Sequence, residues 1–322
     1  MKTLDDYRIE IESAIKELKF PEGKYDSLYS PIKYALSAGG KRIRPVLTLM
    51  ASDAFGENTT DAIKPALGLE TFHNFTLLHD DVMDKSEMRR GRLTVHKKYN
   101  ENTAILSGDT MLTLATEYVC EVKDELLRKV LDTFNSMAIK VYEGQQLDMD
   151  FENQPQIALD DYIEMIQSKT GALLGACAKI GALIGGASEK DAEKMFEFGM
   201  MTGVAFQIQD DYLDTFGDST TFGKNIGGDI NNAKKTYLYV SALQHDSQTA
   251  EALRDAFKIP AGDVRIKAVT RLYEKLGIAE STKKEVNHYS SLALKALNAT
   301  SLSDDKKEVF RKLAEKLIGR KK

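Results

Sequence analysis

The sequence predicts an all-α fold, a bundle of long helices. Three observations carry this. Several segments of about 16 to 25 residues place apolar side chains at helical spacing. Only 6 prolines occur in 322 residues, and proline is the residue that most often breaks a helix. No window shows the sustained Val, Ile and Thr alternation expected of strands.

Taken in order, the first well-marked helix covers 62–83. Pro65 lies in its first turn, where the missing N–H has no partner to lose. Residues 104–122 and 129–149 repeat the apolar pattern. Asp160 and Asp161 place negative charge at the start of a helix over 162–169, where the helix dipole favours it. Residues 171–186 are rich in Gly and Ala, which lets neighbouring helices approach closely. Ser188 caps a helix over 189–213, with acidic residues in its first turn. Loops are expected at 37–40, 55–58, 153–155 and 216–228. After about residue 244 the chain becomes more polar and reads as supporting helices, ending in a solvated basic tail over 319–322. No loop is long enough to separate domains, so a single domain over 1–322 is expected.

Composition narrows the function. Net charge is -5 and the pI is near 5.7, which argues against nonspecific nucleic-acid binding. Cys120 and Cys177 are the only cysteines and form no metal pattern. They give no sign of an oxidising compartment. The N-terminus has no apolar signal region, and the most apolar stretch, 171–187, is interrupted by Lys179 and many small residues. No membrane span and a cytoplasmic location are therefore expected.

The strongest chemical signal is a repeated acidic cluster. Asp80-Asp81-Val82-Met83-Asp84 and Asp210-Asp211-Tyr212-Leu213-Asp214 share the form DDxxD, and each ends a largely apolar run. Crowded carboxylates are costly unless something positive binds them. On a helix, residues i and i+4 share a face, so Asp80 projects with Asp84 and Asp210 with Asp214. Hard oxygen ligands of this kind suit Mg2+, which shares its shell with water and substrate phosphates. Cations cluster around the motifs: Lys41, Arg42 and Arg44 after Gly39-Gly40, then Arg89, Arg90 and Arg92, and later Lys169, Lys224, Lys234 and Lys235. Arg binds phosphate oxygens bidentately and Lys acts as a point charge. Metal plus many cations is what a diphosphate demands.

With these residues in place the chain resembles the trans-isoprenyl diphosphate synthases, or polyprenyl synthetases. The matching segments are GGKRIRP (39–45), LLHDDVMD (77–84), RRG (89–91), GQQLD (144–148), KTG (169–171), FQIQDDYLD (206–214), FGKNIGGDI (222–230) and KKTY (234–237). The resemblance implies an isoprenoid synthase fold with a deep central cavity, a homodimer, and three Mg2+ ions held with bound diphosphate. By position, Asp80 and Asp84 would hold two of the ions, and Asp210 with Asp214 the third. Arg89, Lys169 and Lys224, with Lys234 as a weaker candidate, would bind the allylic diphosphate. Lys41, Arg44, His73 and Arg90 would bind isopentenyl diphosphate. Thr170 and Gln207 would place oxygens near the developing carbocation, with Gln145 and Asp148 nearby. The implied catalytic set is Asp80, Asp81, Asp84, Arg89, Lys169, Thr170, Gln207, Asp210 and Lys224. The implied reaction is head-to-tail condensation of isopentenyl diphosphate with dimethylallyl, geranyl or farnesyl diphosphate. No side chain of the set is an obvious strong base, so released diphosphate is the expected proton acceptor.

Three other readings compete. Glu70-Thr71-Phe72-His73 and Glu285-Val286-Asn287-His288 are ExxH segments, as in di-iron bundles, but neither explains the acidic clusters. A terpene cyclase on the same fold would not need the Lys41, Arg44 and His73 set. A noncatalytic subunit of a heteromeric synthase would typically lose an acidic motif, and none is lost here. His79 and His96 read as structural hydrogen-bonding residues, and the tail Arg320-Lys321-Lys322 as solvated.

The resemblance also implies that product length depends on side chains just upstream of Asp80. Phe75 and Phe72 lie five and eight residues before it, or roughly 7.5 and 12 Å down the helix at about 1.5 Å per residue. With Thr76 beside them, these rings would close the tail cavity early. The first motif also has the short DDxxD form, and the combination resembles synthases that stop at geranylgeranyl (C20), with farnesyl (C15) next. Replacing Phe75 and Phe72 with Ala should lengthen the products seen by chromatography. Unchanged lengths would show that the rings do not form the floor.

Overall fold

The computed structural model describes residues 1–217 and 226–319. Its helices are α1 (Leu4–Glu17), α2 (Asp26–Leu36), α3 (Ile43–Gly56), α4 (Ile63–Met83), α5 (Val95–Lys98), α6 (Glu101–Val119), α7 (Asp124–Glu152) and α8 (Leu159–Ile166). A π-helical turn, Gln167–Gly171, leads into α9 (Ala172–Ile184) and then α10 (Glu189–Phe216). The chain continues as α11 (Gly228–Asn231), α12 (Tyr237–Leu243), α13 (Ser247–Lys258), α14 (Asp263–Lys275), α15 (Ile278–Asn298) and α16 (Asp304–Ile318).

The all-α expectation holds with one local correction. Residues Met88–Arg89 (β1) and Arg92–Leu93 (β2) form a short antiparallel pair, with Met88 opposite Leu93 and Arg89 opposite Arg92. Arg90 and Gly91 between them both have positive φ, 51° and 73°, as the tightest hairpin turn requires. Two residues per strand are too few to show alternation, so nothing in the sequence pattern marked them.

The packing divides into two compact units, Met1–Asn135 with Ala176–Met195, and Ser136–Gly175 with Phe196–Lys322. The division falls within α7, α9 and α10, so each unit receives part of all three. In the first unit α4 packs most closely on α6 and also meets α3. Its core includes Tyr7, Ile11, Leu49, Met50, Leu69 and Phe72, all fully buried. In the second unit an apolar cluster joins Phe151, Tyr162, Ile208, Leu238, Val240 and Tyr273. Burial of such side chains contributes roughly 1.5–3 kcal/mol each.

Helix boundaries follow the expected chemistry. Ser188 Oγ accepts from Asp191 N at 3.1 Å, capping α10, and Asp160 and Asp161 lie in the first turn of α8. The Gly/Ala-rich helix α9 does bring backbones together. A Cβ on Gly181 would lie 2.2 Å from Thr48 O of α3, and one on Gly175 would lie 2.9 Å from Phe196 O of α10. Among the described residues, no helix is long and apolar enough to cross a membrane.

Candidate active site

In the first unit the site is built where α4 ends. Asp80, Asp81 and Asp84 fall in its last turn and at its C-cap. The helix dipole is negative at that end, so these carboxylates raise the local need for cations. The three are not equivalent. Asp81 is 4 % exposed and its Oδ1 accepts from Arg89, at 2.8 Å from Nε and 2.6 Å from Nη2. Asp80 is half-buried and Asp84 is exposed. The β1–β2 hairpin supplies the partner. Arg89 is paired with α4, while the next residue, Arg90, donates from Nη1 to Gly39 O.

The loop before α3 meets the hairpin there. Gly40 lies against the Arg90 guanidinium, so closely that a Cβ would come within 2.9 Å of it. Of the cations in Gly-Gly-Lys-Arg-Ile-Arg-Pro, Arg42 turns away from any ligand. It is 3 % exposed, with Nε on Glu12 at 2.8 Å, Nη1 on Glu70 at 2.7 Å and Nη2 on Leu36 O at 2.7 Å. Asn74 Nδ2 also donates to Glu70 Oε1, at 3.1 Å. Arg44 instead donates from Nη1 to His73 Nε2 at 3.1 Å, while its own Nε is buried with no protein partner. Burial, and then the charges of Arg44 and Arg90, hold the His73 pKa well below the usual histidine value. A neutral His73 accepting from Arg44 is the state this geometry requires. Lys41 is exposed beside this group. The structure therefore brings Arg44, His73 and Arg90 together at the Gly39–Gly40 loop.

Upstream on α4, Phe72 is fully buried and packs on Phe75 and Phe134, with ring centroids 5.6 and 5.4 Å apart. Phe75 is 6 % exposed and stacks edge-on against His79 at 4.8 Å. Thr76 is half-buried, with Oγ1 donating to His73 O at 2.9 Å. Phe134, on α7, was not identified from sequence because nothing local distinguishes it from any other core ring. His79 Nε2 lies 3.1 Å from Ile105 O, as expected of a structural histidine. His96 departs from that expectation, being buried with no partner at either ring nitrogen.

In the second unit the acidic motif closes α10. Asp210 is half-buried. Asp214 is 7 % exposed and its Oδ1 accepts from Asp229 N at 2.8 Å, tying α10 to the start of α11. Asp211 is 4 % exposed and accepts from the Tyr162 hydroxyl, from Tyr237 N at 2.8 Å and from Gln207 Nε2 at 3.1 Å. Burial, followed by the charge of Asp229, pushes its carboxyl up to about 7 against those hydrogen bonds. Lys169 and Thr170 lie in the π turn, an insertion type frequent at functional sites. Gly144 of α7 allows the close approach, since a Cβ there would sit 2.4 Å from Lys169 N. Lys169 Nζ pairs with Asp148 at 2.5 Å, and Thr170 Oγ1 donates to Gln207 Oε1 at 3.3 Å. Gln145, expected nearby, has a buried Oε1 with no partner. Lys234 Nζ lies 3.9 Å from Asp229. Lys224 and the tail Arg320-Lys321-Lys322 fall outside the described residues.

Among the described residues, no three His, Cys, Asp or Glu side chains converge as a ready cation site. The Glu70–His73 pair is not a di-iron half-site, since Glu70 is held by Arg42 and Asn74 and His73 by Arg44.

Residues 25–276 match the polyprenyl synthetase family. A geranylgeranyl diphosphate synthase from Methanosarcina mazei is 40% identical over 236 residues, 73% of this chain and 72% of that relative. The chain belongs to the polyprenyl synthetase family. It is also 33% identical to a geranylfarnesyl diphosphate synthase from Natronomonas pharaonis, over 83% of this chain and 82% of that relative. A crystal structure of a geranylgeranyl pyrophosphate synthase matches with TM-score 0.92 and 38% identity, covering 100% of both chains. The fold is thus the all-α isoprenoid synthase fold and the protein is a short-chain prenyltransferase.

The neutral state of His73 gives a signed pH dependence. Its folded pKa lies below its unfolded value, so the unfolded chain binds the extra proton and stability is lost as pH falls through about 6.5. Between pH 6.5 and 5.5 this one group should cost about 1 kcal/mol. Urea unfolding should show the native chain losing that much more than His73→Gln over the same interval. Parallel pH profiles would mean His73 is not held neutral.

Proposed function

We propose that this chain condenses isopentenyl diphosphate with an allylic diphosphate and releases geranylgeranyl diphosphate as its main product, with farnesyl diphosphate as the shorter alternative. The whole chain would act as one polyprenyl synthetase domain. One observation carries the reading: Arg44 and Arg90 gather at a neutral His73 by the Gly39–Gly40 loop, and Arg44 Nε is buried with no protein partner. Such a group suits a second diphosphate, since the one metal-ligand side chain in it, His73, has its Nε2 taken up by Arg44. A cyclase has one diphosphate to bind and no use for it. The names of the relatives support the chain-length range, and the Phe72, Phe75 and Phe134 cluster supports an early floor, with Phe75 the ring that keeps some exposure.

Asp80 and Asp84 would hold Mg2+ in the first unit, and Asp210 with Asp214 would hold Mg2+ in the second. Mg2+, when bound there, neutralises charge that builds on the departing diphosphate. Arg89, fixed by Asp81, and Lys169, fixed by Asp148, would each offer a cation to diphosphate oxygens. Their ion pairs set the side chains before substrate arrives, so little reorganisation is needed. Arg44, Arg90 and Lys41 would offer their charges to isopentenyl diphosphate. His73 would orient Arg44 by accepting a hydrogen bond from its Nη1–H. Thr170 and Gln207 would face the allylic cation with oxygens. The isopentenyl double bond would attack that cation, and the released diphosphate would take the proton lost in forming the new double bond. The exposed Ile105 and Leu106 on α6 support a homodimer.

The chain should consume isopentenyl diphosphate with dimethylallyl, geranyl and farnesyl diphosphates when Mg2+ is supplied. Replacing Arg44 with Gln should raise KM for isopentenyl diphosphate by about 10- to 100-fold, the range for hydrogen bonds to a charged group. KM for the allylic partner should stay within about twofold, since other residues bind it. No consumption by the native chain would refute the reaction, and equal rises in both KM values would refute the separate site.

A further inference from the structure

The second acidic motif contains a carboxylate to which no role has been given. Asp211 is almost fully buried and both its oxygens are occupied by donors. Oδ2 accepts from the Tyr162 hydroxyl and from Tyr237 N, and Oδ1 accepts from Gln207 Nε2 at 3.1 Å. The helix places these partners for a simple reason: residue 207 stands one turn before 211 on α10.

A glutamine amide is nearly symmetric in shape but not in chemistry. Its nitrogen only donates and its oxygen only accepts, so neighbours decide which way it faces. A carboxylate accepts and does not donate. Facing the ionised form of Asp211, the amide presents its nitrogen, at 3.1 Å, which turns Oε1 the other way. That oxygen accepts the Thr170 hydroxyl at 3.3 Å. Turning the amide over would put an N–H group where the oxygen stands. Beside a developing carbocation the reversal changes a stabilising partial charge into a repelling one.

We infer that Asp211 is a positioning residue: it fixes the orientation of the Gln207 amide, and thereby aims the Gln207 carbonyl oxygen and the Thr170 hydroxyl at the reacting carbon chain, and it does not ligate metal. The orientation rests on the geometry alone. Its catalytic consequence rests on the condensation proposed above.

A swap of matching groups tests this. In Asp211→Asn, Tyr162 and Tyr237 N still need an acceptor, so the new amide nitrogen faces Gln207 and Gln207 turns over. In the double variant Asp211→Asn with Gln207→Glu, a carboxylate stands at position 207 and an amide at position 211. One oxygen of that carboxylate accepts from the amide and the other from Thr170. The formal charge of the pair is unchanged. Asp211→Asn should lower kcat by about 30-fold, in the range of a lost oriented dipole, with the half-saturating Mg2+ concentration within about twofold of native. The double variant should recover kcat to within about threefold of native, since the acceptor toward Thr170 is restored. A half-saturating Mg2+ concentration about tenfold higher in Asp211→Asn would mark Asp211 as a metal ligand and overturn the inference.

Stability gives a readout that needs no activity. Urea unfolding of the native chain, the two single variants and the double variant forms a cycle. Gln207→Glu alone sets two carboxylates together, so the double variant should be more stable than the sum of the single changes by at least about tenfold in the folding equilibrium. An additive cycle, or a double variant no better than Asp211→Asn in folding or in rate, overturns the inference. If the native chain condenses nothing, the reaction fails while the cycle still judges the amide orientation.

Discussion

Helical spacing divides each acidic motif into two kinds of carboxylate. The first and fifth positions share a face, and the second lies about 100° around the helix from the first. In α4 the second position is Asp81, buried against Arg89. In α10 it is Asp211, buried against Tyr162, Tyr237 N and Gln207. In each motif the second carboxylate is thus inward and holds a neighbouring group; Asp80, Asp84 and Asp210 keep exposure, while Asp214 is itself buried against Asp229 N. Both motifs stand at the C-terminal ends of their helices, where the dipole adds to their negative charge. Cation binding relieves an unfavourable arrangement that the fold otherwise has to sustain.

The basic residues obey a similar division. Arg42 and Arg44 are two residues apart, yet Arg42 is fully engaged by protein acceptors and Arg44 keeps one nitrogen without a protein partner. Arg42 needs Glu12, Glu70 and the Leu36 carbonyl because an uncompensated guanidinium cannot be buried. It also adopts a φ of 51°, a strained value for a side-chain-bearing residue. Those bonds hold the start of α3 in a conformation the backbone alone would not choose. Arg44 donates to His73 and keeps a buried Nε that calls for an acceptor.

Much of this was legible in the chain itself. The long helices were, because apolar spacing and scarce proline are local signals. Ser188 as a cap, and the close approaches made by the Gly/Ala-rich α9, followed from residue type alone. The groups of charge were legible as sequence motifs. What the sequence could not show is which way each member faces. The inward turns of Arg42, Asp81 and Asp211 depend on Glu70, Arg89 and Tyr162, which are 28, 8 and 49 residues away. The β1–β2 hairpin escaped notice because two residues per strand leave no period to detect. Phe134 escaped because a single ring on a long helix has no signature until Phe72 is seen against it.

The central claim is the division of labour within a motif, and counting bound ions tests it without assaying turnover. Mn2+ can stand in for Mg2+ and be counted by its electron paramagnetic resonance signal, with inorganic diphosphate supplied to complete the coordination shell. Asp81→Asn should bind as many Mn2+ ions as the native chain, because its carboxylate holds Arg89 and not metal. Asp80→Asn should bind fewer. Loss of ions in Asp81→Asn to the same extent as in Asp80→Asn would contradict the account.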